Sequence, residues 1–472
     1  MVAVALALAL GSTAAHADAV VAPVACPVPA ADGERVECFA LTVPENRARP
    51  SKTIQIPVVR FRSRAAHPGV PMVFLTGGPG GSAIGTRLRG ANNPFLDDRD
   101  FILFEQRGTR HTSPALLCPG YEAANQVIFR DNLVGAAAIA LQRAAAAQCS
   151  KDLVANGVDL DAYDTAAIVA DLLDLQRALS LPRVALSGIS YGTRVALEAI
   201  RAAPSAFEAV VLDSVLPPDV RYDELATENA LGALGRVLDQ CAIEPACARA
   251  YPGLRARWTA ALERANRAPI RVSVPASSGP IAMRFTGRHL MEAVYDALND
   301  RTTIRDVPKL IDAIARGDLA PAARILGSNA GPSGMAGGQR LSVWCREEAA
   351  VTDLARAPRH PELAGWQTVA FAPDVCKAWP VTPSRADRSP VVSDVPVLIL
   401  AGEYDPNTPP AWGRRLLATL SHAWFIEIPG ESHVAGNTPC AVSVARAFLR
   451  DPRHLPDSSC VAQAAPTMFT AP

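Results

Sequence analysis

The sequence predicts an α/β fold, a mostly parallel sheet with helices on both faces, into which a long helical segment is inserted. Three observations carry this expectation. Short apolar runs alternate with helix-period stretches before about residue 217 and again after about residue 390. Between those limits helical periodicity dominates, broken by Gly/Ser-rich stretches. Finally, Gly188-Ile189-Ser190-Tyr191-Gly192 follows a strand-like run and opens a helix-like one.

Taken in chain order, residues 53–61 alternate like an edge strand. Residues 70–75 form an apolar run that ends in Gly77-Gly78-Pro79-Gly80-Gly81, and 101–104 form another. Residues 163–179 place Ile168, Leu172, Leu175 and Leu179 at helical spacing. A strand at 184–187, a helix at 194–203 and a strand at 209–212 follow. The insertion carries helical stretches at 230–238, 254–265, 288–298 and 308–315, with a Gly/Ser-rich break at 327–338. Residues 395–400 and 424–428 are the last strands, with a helix at 411–420 between them. Strands resume after the insertion, so it interrupts one sheet domain. The expected division is a signal at 1–17, a sheet domain at 18–217 and 391–472, and a helical cap at 218–390.

Length and composition agree. The 472 residues exceed the roughly 150 of one ordinary domain. Hydrophobic residues are 49% and charged residues 19%, a globular balance rather than a disordered one. Lys+Arg and Asp+Glu are 46 each, so no basic excess points to nucleic acid. Residues 2–10 are an unbroken apolar run, followed by Ala15-His16-Ala17. That is a secretory h-region with a small-x-small cleavage site, although no charged n-region precedes it. A buried N-terminal helix is the alternative. The run is too short to anchor in a bilayer. An exported protein, periplasmic or extracellular, without stable membrane insertion after cleavage, is expected. Ten cysteines, an even number, suggest disulfides in such a compartment.

A G-x-S-x-G between strand and helix reads as a nucleophile elbow, in which glycines allow a tight turn that lifts the serine above the sheet. A Gly-rich surface turn is the bland alternative. Serine needs a base, and the base needs an orienting acid. In this arrangement the chain order is Ser, acid, His. Of eight histidines, only His433 lies on a loop just after the last strand. For the acid, Asp405 in Ala401-Gly402-Glu403-Tyr404-Asp405-Pro406 is preferred, with Glu403 and Asp213 as rivals. Asp213 also reads as a turn-capping carboxylate. Two donors for an oxyanion are expected from the amides of Tyr191 and Gly78. There is no H-E-x-x-H, C-x-x-C, phosphate loop or G-x-G-x-x-G, so neither metal nor cofactor is expected.

The combination resembles the prolyl-aminopeptidase and tripeptidyl-aminopeptidase (TAP-like) group of α/β-hydrolases, exported bacterial type. The matching stretches are Val43-Pro44-Glu45-Asn46-Arg47, Gly77-Gly78-Pro79-Gly80, Gln106-Arg107-Gly108-Thr109, the Ser190 motif and Asp405-Pro406-Asn407-Thr408-Pro409, with His433, Pro439-Cys440 and Cys460 in the tail. The resemblance implies the α/β-hydrolase fold, Ser190, Asp405 and His433 as a triad, a helical cap, and release of residues from peptide N-termini. The family usually has Asp where Glu105 stands, Gly where Arg110 stands, and in prolyl aminopeptidases His where Thr76 stands. An exopeptidase must also hold a free α-ammonium, for which Glu347 and Glu348 are candidates, with Asp223 and Glu224 behind them. Solvated helix charges are the alternative for Glu347 and Glu348. Trp344, Trp366 and Trp379 could wall a side-chain pocket or form buried core.

The expected substrate is a peptide, or alternatively a small ester or amide; the sequence is silent on oligomeric state. Sequence neighbourhood favours the disulfides Cys26–Cys38, Cys118–Cys149, Cys241–Cys247, Cys345–Cys376 and Cys440–Cys460.

Overall fold

The computed structural model describes residues 19–27, 30, 33–85, 93–276, 279–328, 330, 333–367, 373–463 and 469–471. The stretch 1–17, read above as a signal, lies outside them. Among the described residues no helix is long and apolar enough to cross a membrane.

The strands are β1 (Val20–Pro23), β2 (Val36–Pro44), β3 (Thr53–Phe61), β4 (Gly69–Leu75), β5 (Arg99–Phe104), β6 (Val184–Ile189), β7 (Phe207–Asp213), β8 (Ile270–Val274), β9 (Ile281–Phe285), β10 (Val397–Gly402) and β11 (Ala423–Ile428). Nine of them form one sheet in the order β1-β2-β3-β5-β4-β6-β7-β10-β11, and β8 and β9 pair separately. The β1-β2-β3-β5 side is antiparallel, and β5 through β11 run parallel. The parallel strands are apolar on both faces because both are covered. Val73, Leu75 and Leu186 enter one core, and Met72, Phe74 and Ala185 enter the other. Residues 53–61 are a strand but not an edge, since β2 and β5 flank β3. They alternate because the first half, Ile54 and Ile56, meets only one core, whereas Val59 and Phe61 meet the second.

Before β7 lie α1 (Pro119–Arg130), α2 (Gly135–Ala155), α3 (Thr165–Ala178) and α4 (Tyr191–Ala202). Periodicity did not reveal α1 and α2; the Ala-rich face of α2 offers no apolar stripe. Between β7 and β10 the described residues add no strand to the main sheet. They form α5 (Tyr222–Ile243), α6 (Pro245–Ala250), α7 (Leu254–Arg267), α8 (Gly287–Asn299), α9 (Val307–Ala315), α10 (Ala320–Ser328), α11 (Gly337–Glu347) and α12 (Pro373–Cys376). This segment, called the cap below, has its own core around Leu234, Trp258, Leu290, Val294 and Ile311. The chain ends with α13 (Pro410–Arg415), α14 (Pro439–Arg450) and α15 (Ser459–Ala462). The helix read at 411–420 is shorter, with a 3-10 turn over Leu416–Ala418. Five disulfides join Cys26–Cys38, Cys118–Cys149, Cys241–Cys247, Cys345–Cys376 and Cys440–Cys460, the pairs expected from neighbourhood.

Candidate active site

Ser190 directly follows β6 and precedes α4, with φ 52° and ψ −123°. A non-glycine residue holds that conformation only where its surroundings enforce it. The enforcement comes from packing: a Cβ on Gly192 would stand 2.1 Å from the Leu75 carbonyl, and one on Gly188 2.6 Å from the Gly192 carbonyl. The elbow thus needs glycine on both sides. Tyr191 opens α4, so its amide is a first-turn donor without an intrahelical acceptor. On the facing loop, a Cβ on Gly77 would sit 2.8 Å from Ser190 Cβ. Gly77 is therefore the glycine against the serine. Gly78, with φ +124°, lies against Met335 of the cap, and Ala336 donates its amide to the Gly80 carbonyl (2.9 Å).

The sheet order sets Ser190, Asp213, Asp405 and His433 at or just beyond the C-terminal ends of four adjacent parallel strands, β6, β7, β10 and β11. His433 Nδ1 donates to the Asp405 carboxylate at 2.9 and 3.0 Å. Asp405 is fully buried and also accepts the amides of Asn407 (2.8 Å) and Thr408 (2.9 Å) and the Thr408 hydroxyl (2.8 Å). Burial alone would raise its pKa; the His433 charge and these donors hold it below the ordinary carboxylate value. Burial would likewise lower the His433 pKa, but the adjoining Asp405 charge and hydrogen bond raise it above its ordinary value.

The rivals for the acid serve other partners. Glu403 accepts the Gly430 amide (2.8 Å). Asp213 accepts the amides of Ala435 (3.1 Å) and Gly436 (2.8 Å), just past His433, while its carbonyl accepts the Ser190 amide (3.0 Å). It bridges the elbow and the histidine loop, and burial pushes its pKa up to about 6.

Glu347 and Glu348, read from the sequence as holders of a substrate ammonium, both meet internal partners. Glu348 is fully buried and ion-paired with Arg194, and with Arg388 at 3.0 Å. Glu347 accepts the Thr165 amide (2.6 Å) and hydroxyl (2.8 Å) at the start of α3, and burial pushes its pKa up to about 7. Both guanidinium groups fall on Glu348 Oε1, its buried Oε2 accepts no hydrogen bond among the described residues, and both Glu347 oxygens face Thr165, so neither carboxylate is a solvated helix charge. Asp223 accepts the Trp344 indole (2.9 Å), and Glu224 accepts the Asp353 amide (2.8 Å). Trp344, Trp366 and Trp379 are buried.

The stretches that carried the resemblance form a support. Arg107, fully buried, pairs with Asp171 through two 2.6 Å bonds and donates to the carbonyls of Pro44, Glu45 and Ala162. Gln106 donates to the Thr76 carbonyl (2.9 Å), just before the glycine loop. Glu105 accepts the Ile84 amide (3.0 Å) and the hydroxyls of Ser82 (3.2 Å) and Thr109 (2.9 Å). Its extra methylene relative to Asp supplies reach to both loops. Among the described residues no cluster of His, Cys, Asp and Glu could hold a metal ion.

Comparison with known proteins agrees with this architecture. Residues 70–235 match the family "alpha/beta hydrolase fold", and residues 364–460 match the family "TAP-like protein". A curated relative, "Serine protease Hip1" of Mycobacterium tuberculosis (strain ATCC 25618 / H37Rv), is 24% identical over 410 residues, covering 79% of this chain and 76% of that protein. Among solved structures, the proline iminopeptidase of Mycobacterium smegmatis aligns at 17% identity and TM-score 0.40, over 88% of this chain and 98% of that one. A thermophilic esterase from Thermogutta terrifontis aligns at 15% identity and TM-score 0.39, over 88% and 99%. With the elbow, the parallel sheet and both family matches in agreement, the chain has the α/β-hydrolase fold, with a C-terminal region similar to the TAP-like proteins.

Proposed function

We propose that the chain is an exported serine peptidase that releases residues or short peptides from peptide N-termini through an acyl-enzyme on Ser190. The observation that carries this is the buried Asp405–His433 pair, tied through Asp213 to the strained Ser190 elbow. The five disulfides support an oxidising compartment.

In this mechanism His433 Nε2 takes the proton of Ser190 as its oxygen attacks the scissile carbonyl. The imidazolium that forms is stabilised by Asp405. The negative oxygen of the tetrahedral intermediate meets amides of Tyr191 and the 77–78 turn. His433 then returns the proton to the leaving amine, and the C–N bond breaks. Water, deprotonated by His433, releases the acyl group and restores Ser190.

The test is a panel of aminoacyl, dipeptidyl and tripeptidyl fluorogenic amides, each with a free and a blocked amine, with acyl esters as controls. Turnover of the free-amine amides, loss on blocking, and loss in Ser190→Ala are expected. Equal turnover of blocked substrates assigns the chain to general ester or amide hydrolysis instead. Unchanged hydrolysis by Ser190→Ala refutes the mechanism.

A further inference from the structure

Asn407 lies two residues past Asp405, and its own amide donates to that carboxylate (2.8 Å). Its side chain turns to the cap. Asn407 Oδ1 accepts the Tyr295 hydroxyl, and that of Tyr222 at 3.4 Å; Nδ2 donates to Asn299 Oδ1. The Asn407 carbonyl accepts Asn229 Nδ2 (3.1 Å). Tyr295 and Asn299 are one turn apart near the C-terminal end of α8.

The same end of α8 holds the histidine loop. Ser432, directly before His433, donates its hydroxyl to the Leu298 carbonyl. Arg301, just beyond the helix, pairs with Glu431 at 3.3 Å. Side chains 295, 299 and 301 and the 298 carbonyl therefore reach both loops that present the acid and the base. The Leu298 carbonyl is among the last four of the helix, which no intrahelical amide can satisfy, so it is free for this role.

We propose that the C-terminal end of α8 positions the Asp405–His433 pair, with Asn299 and Tyr295 acting through Asn407 and Leu298 through Ser432. The cap is then part of what holds the acid and base in register, beyond covering the site. Tyr295 and Asn299 are positioning residues in this scheme, since they touch no reacting atom. The inference rests on the reading of Ser190, Asp405 and His433 given above.

The experiment compares Asn299→Leu, Tyr295→Phe and Asn299→Asp, which keeps an acceptor for the Asn407 amide. Each is assayed on an aminoacyl amide and on p-nitrophenyl acetate across pH, with thermal unfolding as the fold check. For Asn299→Leu and Tyr295→Phe, kcat is expected to fall about tenfold on both substrates with KM within about twofold. The low-pH limb of kcat/KM should move to lower pH, because a loosened carboxylate supports the imidazolium less. Asn299→Asp should recover most of kcat. An unchanged kcat and limb in both Asn299→Leu and Tyr295→Phe, or a rise in KM alone, overturns the proposal and leaves α8 as cover only. Ser190→Ala run alongside separates the two failures. If it is inactive while the α8 variants are unaffected, only this inference falls; if it retains both activities, the triad reading falls and takes this inference with it.

Discussion

Replacing Asp405 by Asn removes one negative charge while leaving an acceptor beside His433. The nitrogen-to-oxygen distance is 2.9 Å, which puts the two charge centres about 4 Å apart. At an effective dielectric of about 20, their attraction is about 4 kcal/mol. It acts on the imidazolium that exists in the transition state but not in the resting neutral base. Its loss therefore appears in kcat, as a factor of about 10³. The sign in pH follows from the same pair. The His433 pKa is raised, and only neutral His433 acts as a base, so wild-type kcat/KM should climb as pH rises through a value above the ordinary 6.5. In Asp405→Asn that limb should shift to lower pH, towards a plateau about a thousandfold lower. The assay is kcat/KM on one fluorogenic aminoacyl amide between about pH 5 and 9, with wild type and variant matched for folding. A loss smaller than about tenfold, or an unmoved limb, would refute the assignment of the acid and turn attention to Asp213.

Gly192→Ala should yield no stably folded protein, because its Cβ would overlap a backbone carbonyl 2.1 Å away; soluble yield and thermal unfolding report it. Arg107→Met should destabilise by about 3–5 kcal/mol in denaturant unfolding, since it strands the buried Asp171 and frees three carbonyls. Arg47, 2.6 Å from Asp171, keeps the loss towards the lower figure. Glu348→Ala should cost a similar amount by uncovering buried Arg194, yet leave KM for aminoacyl amides within about twofold; a KM rise above tenfold would restore Glu348 as a substrate ligand.

What the sequence made legible was local. The elbow and the apolar strands repeat patterns a few residues long, so Ser190 and its flanking β6 and α4 could be read directly. His433 emerged from chain order and from its place after β11. Asp405, Glu403 and Asp213 could be ranked but not given separate partners, because Gly430 and Gly436 approach them only in the folded chain. The internal partners of Glu347 and Glu348 were hidden for the same reason. Glu348 meets Arg194 across 154 residues, and no local pattern announces that a charge in a helix-period stretch is buried. The end of α8 gave no sign either: Tyr295 and Asn299 form an ordinary helical pair until Asn407, more than a hundred residues on, is placed beside them.

The disulfides close five separate rings, between residues 12, 31, 6, 31 and 20 apart, and no ring overlaps another. Among the described residues no disulfide joins the cap to the sheet. This sets how the protein responds to nicking by neighbouring proteases. A cut between Cys118 and Cys149, or between Cys345 and Cys376, leaves two pieces tethered through sulfur, and they separate only on reduction. A cut between Cys149 and Cys241 falls outside every ring, and the halves are then held by packing and polar contacts alone. Oxidation thus protects the chain ring by ring, and leaves the cap's hold on the acid and histidine loops reversible.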